Sequence, residues 1–361
     1  MMETSVISRC GSLVSHQLST HPASFFRNSS NTSSGRHNQQ QQQQKERSRV
    51  GVVPVISATA ATRTTHGAKL SKRSPRPENV DGDFYVDHTC IDCNVCRMMT
   101  PTVYSRLGQQ SIVYNQPSSD EERLSALQAL LSCPTASIHT REPPTDIKMA
   151  HDSFPLAIDP NTIEGVYHCG YHSEASFGAT SYFIVHPGGN ILVDSPRYSV
   201  QLAKRMEAMG GVRYMFLTHR DDVADHKKWQ EHFKCERILH EREVTWSTAE
   251  VEMKLQGEGP WSLAPDIELI FSPGHTEACV SLLYKTKGAL FTGDHLMGNG
   301  KGLMMDQVHN WYSVPLQIES IRALLPYDFT WVLPGHGYMH HFNTVEEKNV
   351  ALRNLIEKES M

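Results

Sequence analysis

The second half of the chain alternates between short apolar runs and polar loops that carry histidine, aspartate and glycine. Residues 181–196 predict two strands joined by a Pro-Gly-Gly-Asn turn. Further runs predict three buried strands that each end on a polar loop, and one hairpin: "GVRYMFLTH", "IELIFSPGHT", "FTWVLPGHG" and "CVSLLYKTKGALFTGDH". Between them, "VADHKKWQEHF" predicts a helix. Strands of this kind deliver their loop residues to one edge of a sheet, where glycine lets the backbone turn closely.

An amphipathic pattern also occurs in the first half of the chain, directly before a Cys-Pro pair. The stretch "SSDEERLSALQALLSC" predicts a helix with Ser119 as its N-cap and acidic residues in its first turn. One face of this helix is apolar and consists of Leu124, Leu127, Leu130 and Leu131. Residues 143–163 are rich in proline and turn formers, and we predict that they form a linker between two domains.

Composition sets the N-terminal segment apart from the rest. Residues 1–57 are rich in Ser, Thr, Asn and Gln, include a glutamine run at 39–44, and hold six Lys or Arg against two acidic residues. They contain too few large apolar side chains to form a core. The composition is typical of an organelle transit peptide and favours the chloroplast stroma over the mitochondrion, with a plain disordered tail as the alternative. Residues 58–79 are predicted to be a disordered linker.

The charge and hydropathy of the remaining chain argue against nucleic-acid binding and against a membrane-spanning segment. Residues 58–361 hold 28 basic and 37 acidic side chains, a net charge of −9, with no marked basic patch. This balance argues against nucleic acid as the main partner. There is no apolar run of about 18 residues or more, so no membrane span is predicted. The 361 residues are enough for one large domain or two smaller ones.

Four of the eight cysteines fall in a pattern that predicts an iron–sulfur cluster. "CIDCNVC" places Cys90, Cys93 and Cys96 at a C-x2-C-x2-C spacing, and Cys133 begins a Cys-Pro pair after a gap of 36 residues. One tight loop can present three thiolates to a cluster, and the Cys-Pro supplies the fourth. Zinc is an alternative, although its sites usually pair two Cys-x2-Cys knuckles. Disulfides are disfavoured because the cysteines crowd one loop and an organelle interior is reducing.

This part of the chain resembles the single-cluster bacterial-type ferredoxins, over about residues 80–142. The stretches "YVDHTCIDCNVCRMMTPTVY" and "ALQALLSCPTASI" carry the resemblance. It implies a small α+β domain with one 4Fe–4S cluster, because only one full motif is present. Its ligands would be Cys90, Cys93, Cys96 and Cys133. An electron donor to the cluster is the partner that such a domain implies.

The polar loops of the second half contain side chains that bind metal ions. The candidate ligands are His219, Asp221, Asp225, His226, His275, Asp294 and His336. They spread over 118 positions, so they converge only if a folded sheet sandwich brings them together. Each also has an ordinary structural interpretation, such as a turn aspartate. For Asp225 and His226 that interpretation is the start of a helix.

From residue 164 to about 345, the order of these loops resembles the metallo-β-lactamase superfamily. Five elements occur in sequence: "LVDSP", "THRDDVADH", "SPGHT", "FTGDH" and "LPGHG". The resemblance implies a first metal ion on His219 and His275. It implies a second ion on Asp225, His226 and His336.

Two aspartates complete the site that this resemblance implies. Asp294 bridges the two ions, and Asp194 orients a ligand from the second shell. Asp225 and Asp294 are the predicted catalytic residues. The implied fold is an αβ/βα sandwich over residues 164–361, and together with the ferredoxin-like part the chain falls in the α+β class.

The stretch "THRDDVADH" departs from the family pattern His-x-His-x-Asp-His. Asp225 lies six positions after His219 instead of four, so two residues are inserted, and an acid replaces the second histidine. Asp221 keeps the usual offset and is the predicted replacement, with Asp222 as its rival. A carboxylate is a harder ligand than an imidazole and shifts preference from zinc towards iron or manganese. We therefore predict one or two zinc or iron ions.

Three hypotheses for function follow from the two predicted metal sites. The first is a metallohydrolase whose ions activate a water for attack on a thioester, ester or lactone, as in the hydroxyacylglutathione hydrolases that the "PGHT" and "GDH" motifs resemble. The second is an iron-dependent oxidoreductase, fed with electrons by the cluster. It resembles the flavodiiron proteins, which also carry an acid in place of the second histidine. The third is a non-catalytic sensor joined to a binding module.

The first hypothesis is favoured, with a small-molecule substrate. The stretch "GNGKGLMMDQVHNWYS", residues 298–313, is predicted to form a loop over the site. Its candidate pocket residues are Met304, Met305, Trp311 and Tyr312. Ordinary core packing is the alternative for these four side chains.

Overall fold

The computed structural model describes residues 71–361. The predicted transit peptide, residues 1–57, lies outside the described residues, and so do residues 58–70 of the predicted linker. The predicted import into an organelle therefore stays a prediction. In the described part of the chain, no helix is long and apolar enough to cross a membrane.

The last residues of the predicted disordered linker belong to the first folded domain. The Arg73 guanidinium donates to the carbonyls of Thr135 and Ala136 at 3.1 and 2.8 Å. Arg76 is only 7% exposed and donates to the carbonyl of Ser111 at 2.8 Å. The prediction that disorder extends to residue 79 is therefore wrong, because these two arginines tie the segment to the domain.

The first domain is small and contains two antiparallel strand pairs and three helices. The strands are β1 Phe84–Val86, β2 Tyr104–Leu107, β3 Gln110–Val113 and β4 Ile138–Thr140. The helices are α1 Val95–Met99, α2 Asp120–Ser132 and α3 Ile147–Ser153. Strand β1 pairs with β4, and β2 pairs with β3. The predicted helix is confirmed as α2, and Ser119 caps it by accepting from the N–H of Glu122 at 3.2 Å.

A two-sheet sandwich forms the rest of the described chain. The first sheet contains β5 Leu156–Ala157, β6 Val166–His168, β7 Tyr182–Ile184, β8 Ile191–Val193, β9 Tyr214–Phe216, β10 Glu236–His240 and β11 Met253–Leu255. The second contains β12 Trp261–Ala264, β13 Ile267–Phe271, β14 Val280–Tyr284, β15 Ala289–Gly293, β18 Trp331–Pro334 and β19 His340–His341, with the hairpin β16 Met297–Gly298 and β17 Leu303–Met304 between β15 and β18. The outer helices are α4 Val200–Ala208, α5 His226–Phe233, α6 Val314–Ala323 and α7 Val345–Glu359.

The strand order is sequential in the first sheet and almost so in the second. The first sheet runs β5 to β11, antiparallel up to β8 and parallel beyond it. The second runs β12-β13-β14-β15-β18-β19, with β15 and β18 parallel. The strands predicted from the apolar runs are confirmed as β7, β8, β9, β13, β14, β15 and β18.

Three apolar layers show how the sheets and helices stack. Alternate residues such as Val193 and Phe216 of the first sheet meet Leu282 and Phe291 of the second in a shared core. The opposite face of the first sheet packs on α4 and α5, and that of the second on α6 and α7. Because strand side chains alternate between faces, each sheet has one inner and one outer apolar face. The predicted αβ/βα sandwich and α+β class are confirmed.

The segment between the two domains is packed and does not act as a spacer. Ala150 of α3 lies in the core of the first domain, whereas Phe154 is fully buried in the layer beneath the first sheet. Arg123 of α2 pairs with Asp146 at the start of α3. Strand β5 then joins the first sheet. The predicted linker over 143–163 is therefore corrected to a packed segment that contains α3 and β5 and contacts both domains.

Candidate metal centre

The four motif cysteines come together in one small cavity of the first domain. The cavity is lined by Cys90, Cys93, Cys96 and Cys133 together with Ser111 and Pro134. The loop that carries the first three curls tightly, since Asp92 and Asn94 have φ values of +63° and +70°. Asp and Asn tolerate this left-handed conformation better than most residues. The predicted convergence of the cysteines is thus present in the structure.

The surroundings of these sulfur atoms fit an iron–sulfur cluster. The N–H groups of Ser111 and Ser137 donate to the sulfurs of Cys90 and Cys133 at 3.3 and 3.2 Å. Burial raises the pKa of the Cys96 thiol to about 12, and the neighbouring cysteines add to this effect when ionised. Four thiolates around one cavity, with those of Cys96 and Cys133 buried, need a cationic partner. Iron–sulfur clusters bind such thiolates and accept N–H donors at their sulfurs.

The second site is built at one edge of the sandwich, where strands from both sheets end. His219 follows β9 of the first sheet, whereas His275, Asp294 and His336 follow β13, β15 and β18 of the second. Asp294 Oδ2 lies 3.8 Å from His219 Nε2, 3.6 Å from His275 Nε2 and 3.7 Å from His336 Nε2. Two groups with metal-binding geometry share this carboxylate: His219, His275 and Asp294, and Asp222, Asp294 and His336.

Several polar atoms of this site are buried without a hydrogen-bond partner among residues 71–361. They are His219 Nε2, both ring nitrogens of His275, Asp222 Oδ2 and Asp294 Oδ1. Each such atom costs about 1–3 kcal/mol unless it finds a partner. Unpaired imidazole nitrogens and carboxylate oxygens that point at one another are the donor set that zinc and iron bind. The residues therefore fit metal ions, which His219 and His275 on one side and Asp222 and His336 on the other would hold, with Asp294 shared by both groups.

The pKa values of the buried Asp222 and Asp294 carboxyl groups are shifted in opposite directions. Burial and the nearby Asp294 carboxylate raise the pKa of Asp222 well above its ordinary value. Burial also acts to raise the pKa of Asp294, but the three facing histidines hold it below its ordinary value. Burial and the neighbouring His219 lower the pKa of His275 to about 4. His275 is thus neutral near pH 7, which is the state in which imidazole binds a metal.

Asp194 and Thr218 set the orientation of His219. Asp194 Oδ1 accepts from the N–H and the hydroxyl of Thr218 at 2.8 and 3.0 Å. The Thr218 oxygen lies 2.9 Å from His219 Nδ1. Because the single hydroxyl proton is donated to Asp194, His219 Nδ1–H donates to Thr218, and Nε2 is left with a free lone pair towards the cluster of ligands. Thr218, which the sequence analysis did not identify, thus connects Asp194, the predicted orienting aspartate, to His219.

Gly335 lets the two buried carboxylates approach the backbone. A Cβ atom at this position would lie 2.7 Å from Asp294 Oδ1 and 2.8 Å from Asp222 Oδ2, closer than real Cβ contacts. The position was also missed by the sequence analysis, although "LPGHG" contained the signal: a glycine directly before a candidate ligand. Its role is to leave space, which glycine alone provides.

Both rival aspartates of the altered motif face the site. Asp221 Oδ2 lies 3.8 Å from the Nε2 atoms of both His219 and His275, and its side chain is 45% exposed. Asp222 is 2% exposed and belongs to the group with His336. Asp221 therefore lies on the side of His219 and His275, whereas Asp222 lies on the side of His336, so the two acids do not compete for one position.

Asp225 and His226 lie away from this site, which corrects their predicted role as ligands and that of Asp225 in catalysis. Asp225 Oδ2 accepts from the N–H of Tyr198 at 2.8 Å, and Oδ1 pairs with Lys228 at 2.9 Å. His226 Nδ1 lies 3.1 Å from the guanidinium of Arg237. The two inserted residues extend the loop, so Asp225 and His226 begin α5. Asp222 instead joins Asp294 and His336 in the second ligand group.

A pair of matched substitutions tests this correction. Asp222→Asn removes the charge of a carboxylate that faces the site, so we expect the second metal position to lose its ion. Asp225→Asn changes the motif aspartate that lies outside the site, so we expect metal content like that of the unchanged protein. Metal analysis of both purified variants checks this. Loss of metal from Asp225→Asn, with retention in Asp222→Asn, would restore the family register and contradict the structure.

The predicted pocket residues divide between core and surface. Met305 is buried in the layer beneath the second sheet, so core packing is its role here. Trp311 and Tyr312 are exposed, and the N–H of Trp311 donates to the carbonyl of His275 at 2.9 Å. The loop is thus hydrogen-bonded through its backbone to His275, and its two aromatic side chains are exposed.

Comparisons with known proteins found one matching family model and several similar solved structures. Residues 86–140 match the family described as the 4Fe-4S single cluster domain of Ferredoxin I. The mono-zinc form of the metallo-β-lactamase FIM-1 from Pseudomonas aeruginosa is 17% identical over 57% of this chain and 95% of that chain, with a TM-score of 0.44. A metallo-β-lactamase from Erythrobacter litoralis is 18% identical over 55% and 91%, with a TM-score of 0.41. The DIM-1 metallo-β-lactamase is 16% identical over 53% and 94%, with a TM-score of 0.43. Residues 86–140 are thus a 4Fe-4S ferredoxin-like domain, and the sandwich that follows has metallo-β-lactamases among its structural neighbours.

Proposed function

We propose that the protein is a metal-dependent hydrolase that cleaves a thioester, ester or lactone. The observation that carries this proposal is the carboxylate of Asp294, which faces three histidines and belongs to both ligand groups. Ions bound there would lower the pKa of a water towards about 7 and polarise the substrate carbonyl.

The side chains that face such a site differ in burial and in the role that each would have. His219 is held in one tautomer through Thr218, so its lone pair is available without reorganisation. His275 and Asp222 are buried and form the floor of the site. Asp221 and His336 are its more exposed members, with side chains 45% and 25% exposed. The substrate is therefore expected to enter on their side, close to the aromatic residues Trp311 and Tyr312.

A second candidate function is an iron-dependent oxidoreductase that receives electrons through the cluster. Two observations favour it: three of the six facing side chains are carboxylates, and hydrolysis needs no electron carrier. Carboxylate-rich sites prefer iron or manganese to zinc. An electron donor to the ferredoxin-like domain and an oxidisable or reducible small molecule would be its partners.

The metal content of the protein, purified without oxygen, separates the two candidates. Mössbauer spectroscopy distinguishes iron in the cluster from other iron. About four cluster irons and up to two zinc ions per chain are expected for the hydrolase. One or two further irons outside the cluster would favour the oxidoreductase. Failure of the metal-loaded protein to turn over any member of a panel of thioesters, esters and lactones would contradict the hydrolase.

A further inference from the structure

A glycine of the sandwich lies directly against one of the cluster cysteines. Gly178 has a φ of +88°, and a Cβ atom at this position would lie 2.8 Å from Cys93 Cβ and 3.2 Å from Cys93 Sγ. The same added atom would lie 3.4 Å from Cγ of Pro134, the residue after Cys133. The backbone of Gly178 therefore packs on the wall of the cluster site with no space for a side chain.

Two residues later, the same segment is hydrogen-bonded to the loop that carries His336. The N–H of Thr180 donates to the carbonyl of Gly335 at 2.7 Å. Gly335 is the residue that lies against the carboxylates of Asp222 and Asp294. The bridging segment, as we call Ser173–Thr180, therefore contacts both metal-binding sites through its own backbone.

Buried hydrogen bonds hold the bridging segment in place. The N–H of Gly178 donates to the carbonyl of Ser173 at 2.8 Å, and its carbonyl accepts from His172 Nδ1 at 2.8 Å. With Nδ1 as donor, a neutral His172 accepts at Nε2 from His168 Nε2, 2.9 Å away. Both histidines are buried. Closely packed interiors have low compressibility and transmit strain.

Arg197 forms a second connection between the two sites. Its guanidinium donates to the carbonyl of Leu131 at 2.8 Å, two residues before Cys133. Two residues before Arg197, the N–H of Ser195 donates to the carbonyl of Asp222 at 3.3 Å. The cluster site and the metal centre are thus linked on two sides, through Cys93 and through the region of Cys133.

We propose that the bridging segment, supported by Arg197, couples the two sites, so that the oxidation state of the cluster changes the affinity of the metal centre for its ions. The proposal rests on the proposed function only in assuming that both sites bind their metals, and it does not depend on the reaction. Reduction adds one electron from a one-electron reductant, and no bond forms or breaks. The added charge would act at the Cys93 sulfur, against which the backbone of Gly178 packs with no space for a side chain.

Zinc binding by the whole protein with its cluster intact provides the test. Affinity is measured by competition with a chromophoric chelator, once with the cluster oxidised and once after reduction with dithionite. We expect a difference of at least about fivefold, the lower end of usual couplings. By linkage, the same factor should shift the midpoint potential of the cluster by about 40 mV between metal-free and zinc-loaded protein. Equal affinities in both oxidation states would overturn the proposal.

Two matched glycine variants distinguish coupling that passes through the bridging segment from coupling by charge acting through space. Gly178→Ala is expected to remove most of the coupling, because the new methyl group forces Gly178 and Cys93 apart. Gly257→Ala is the control, since Gly257 has a φ of +76° and an added Cβ there meets no atom within 4 Å. Coupling of full size in Gly178→Ala would assign the effect to charge alone and overturn the role of the segment.

A second variant keeps the test decisive if Gly178→Ala does not retain its cluster. Arg197→Met preserves the length of the side chain and removes the donor to Leu131, so we expect weaker coupling. Unchanged coupling in this variant would then contradict the proposal. Intact coupling without any hydrolytic activity would count against the proposed function and leave this inference standing.

Discussion

Replacing Asp294 with asparagine is expected to empty the metal centre. Asparagine keeps the size of the side chain but removes the negative charge that faces His219, His275 and His336. Changes in outer-shell partners already lower metal affinity by about 10–100-fold, so loss of a shared ligand should exceed about 100-fold. Hydrolytic activity should disappear with the ions. Metal analysis and chelator competition measure the first effect, and turnover of the best substrate measures the second.

Asp266→Asn is the matched control for this change. Asp266 also accepts a hydrogen bond from a histidine, His186, at 3.0 Å, but it belongs to no ligand group of the metal centre. We expect its metal content and activity to stay near those of the unchanged protein. Normal metal content in Asp294→Asn would show that the centre is not built on this carboxylate, and both the site and the proposed hydrolase would fail.

Replacing Cys133 with alanine is expected to destroy the four-iron cluster. This cysteine is the only one of the four that comes from outside the C-x2-C-x2-C loop, so the loop alone cannot close the site. Iron content should fall from about four per chain to about three or fewer, with loss of the Mössbauer signature of a 4Fe–4S cluster. The metal centre should still bind zinc, because its ligands lie on other strands.

Cys235→Ala controls for the loss of a buried thiol. Cys235 is buried in the layer beneath the first sheet and lies outside the cavity of the cluster cysteines. This variant should keep its cluster and lose only the stability expected for a small cavity, about 1 kcal/mol. An intact four-iron signature in Cys133→Ala would contradict the assignment of the fourth ligand.

Local pattern was sufficient for most secondary structure. The short apolar runs located β7, β8, β9, β13 and β15, because strands covered on both faces need apolar side chains at nearly every position. The cap at Ser119 and the leucine face located α2 for a similarly local reason. The order of the loop motifs also indicated the sandwich and which strand ends carry metal ligands.

Loop geometry, in contrast, could not be obtained from motif spacing. The sequence suggested Asp225 and His226 as ligands, because it contains the Asp-His pair that the resembling family uses. The structure instead makes them the start of α5 and brings in Asp222, since two added residues change the path of the backbone. The predicted disorder up to residue 79 and the predicted linker over 143–163 were also misjudged. Their sequences look irregular, but residues distant in the chain hold them in place.

The sequence by itself determined helix α2, the strands that end at the metal centre, the cluster motif, and the kinds of side chain at those strand ends. These properties depend on neighbours within a few positions along the chain. Only the tertiary structure decided which aspartates face the ions, that Gly335 leaves space for two carboxylates, and that Gly178 lies against Cys93. Those contacts join residues up to 113 positions apart, such as Asp222 and Gly335, and they form only when packing of the two sheets closes the distance.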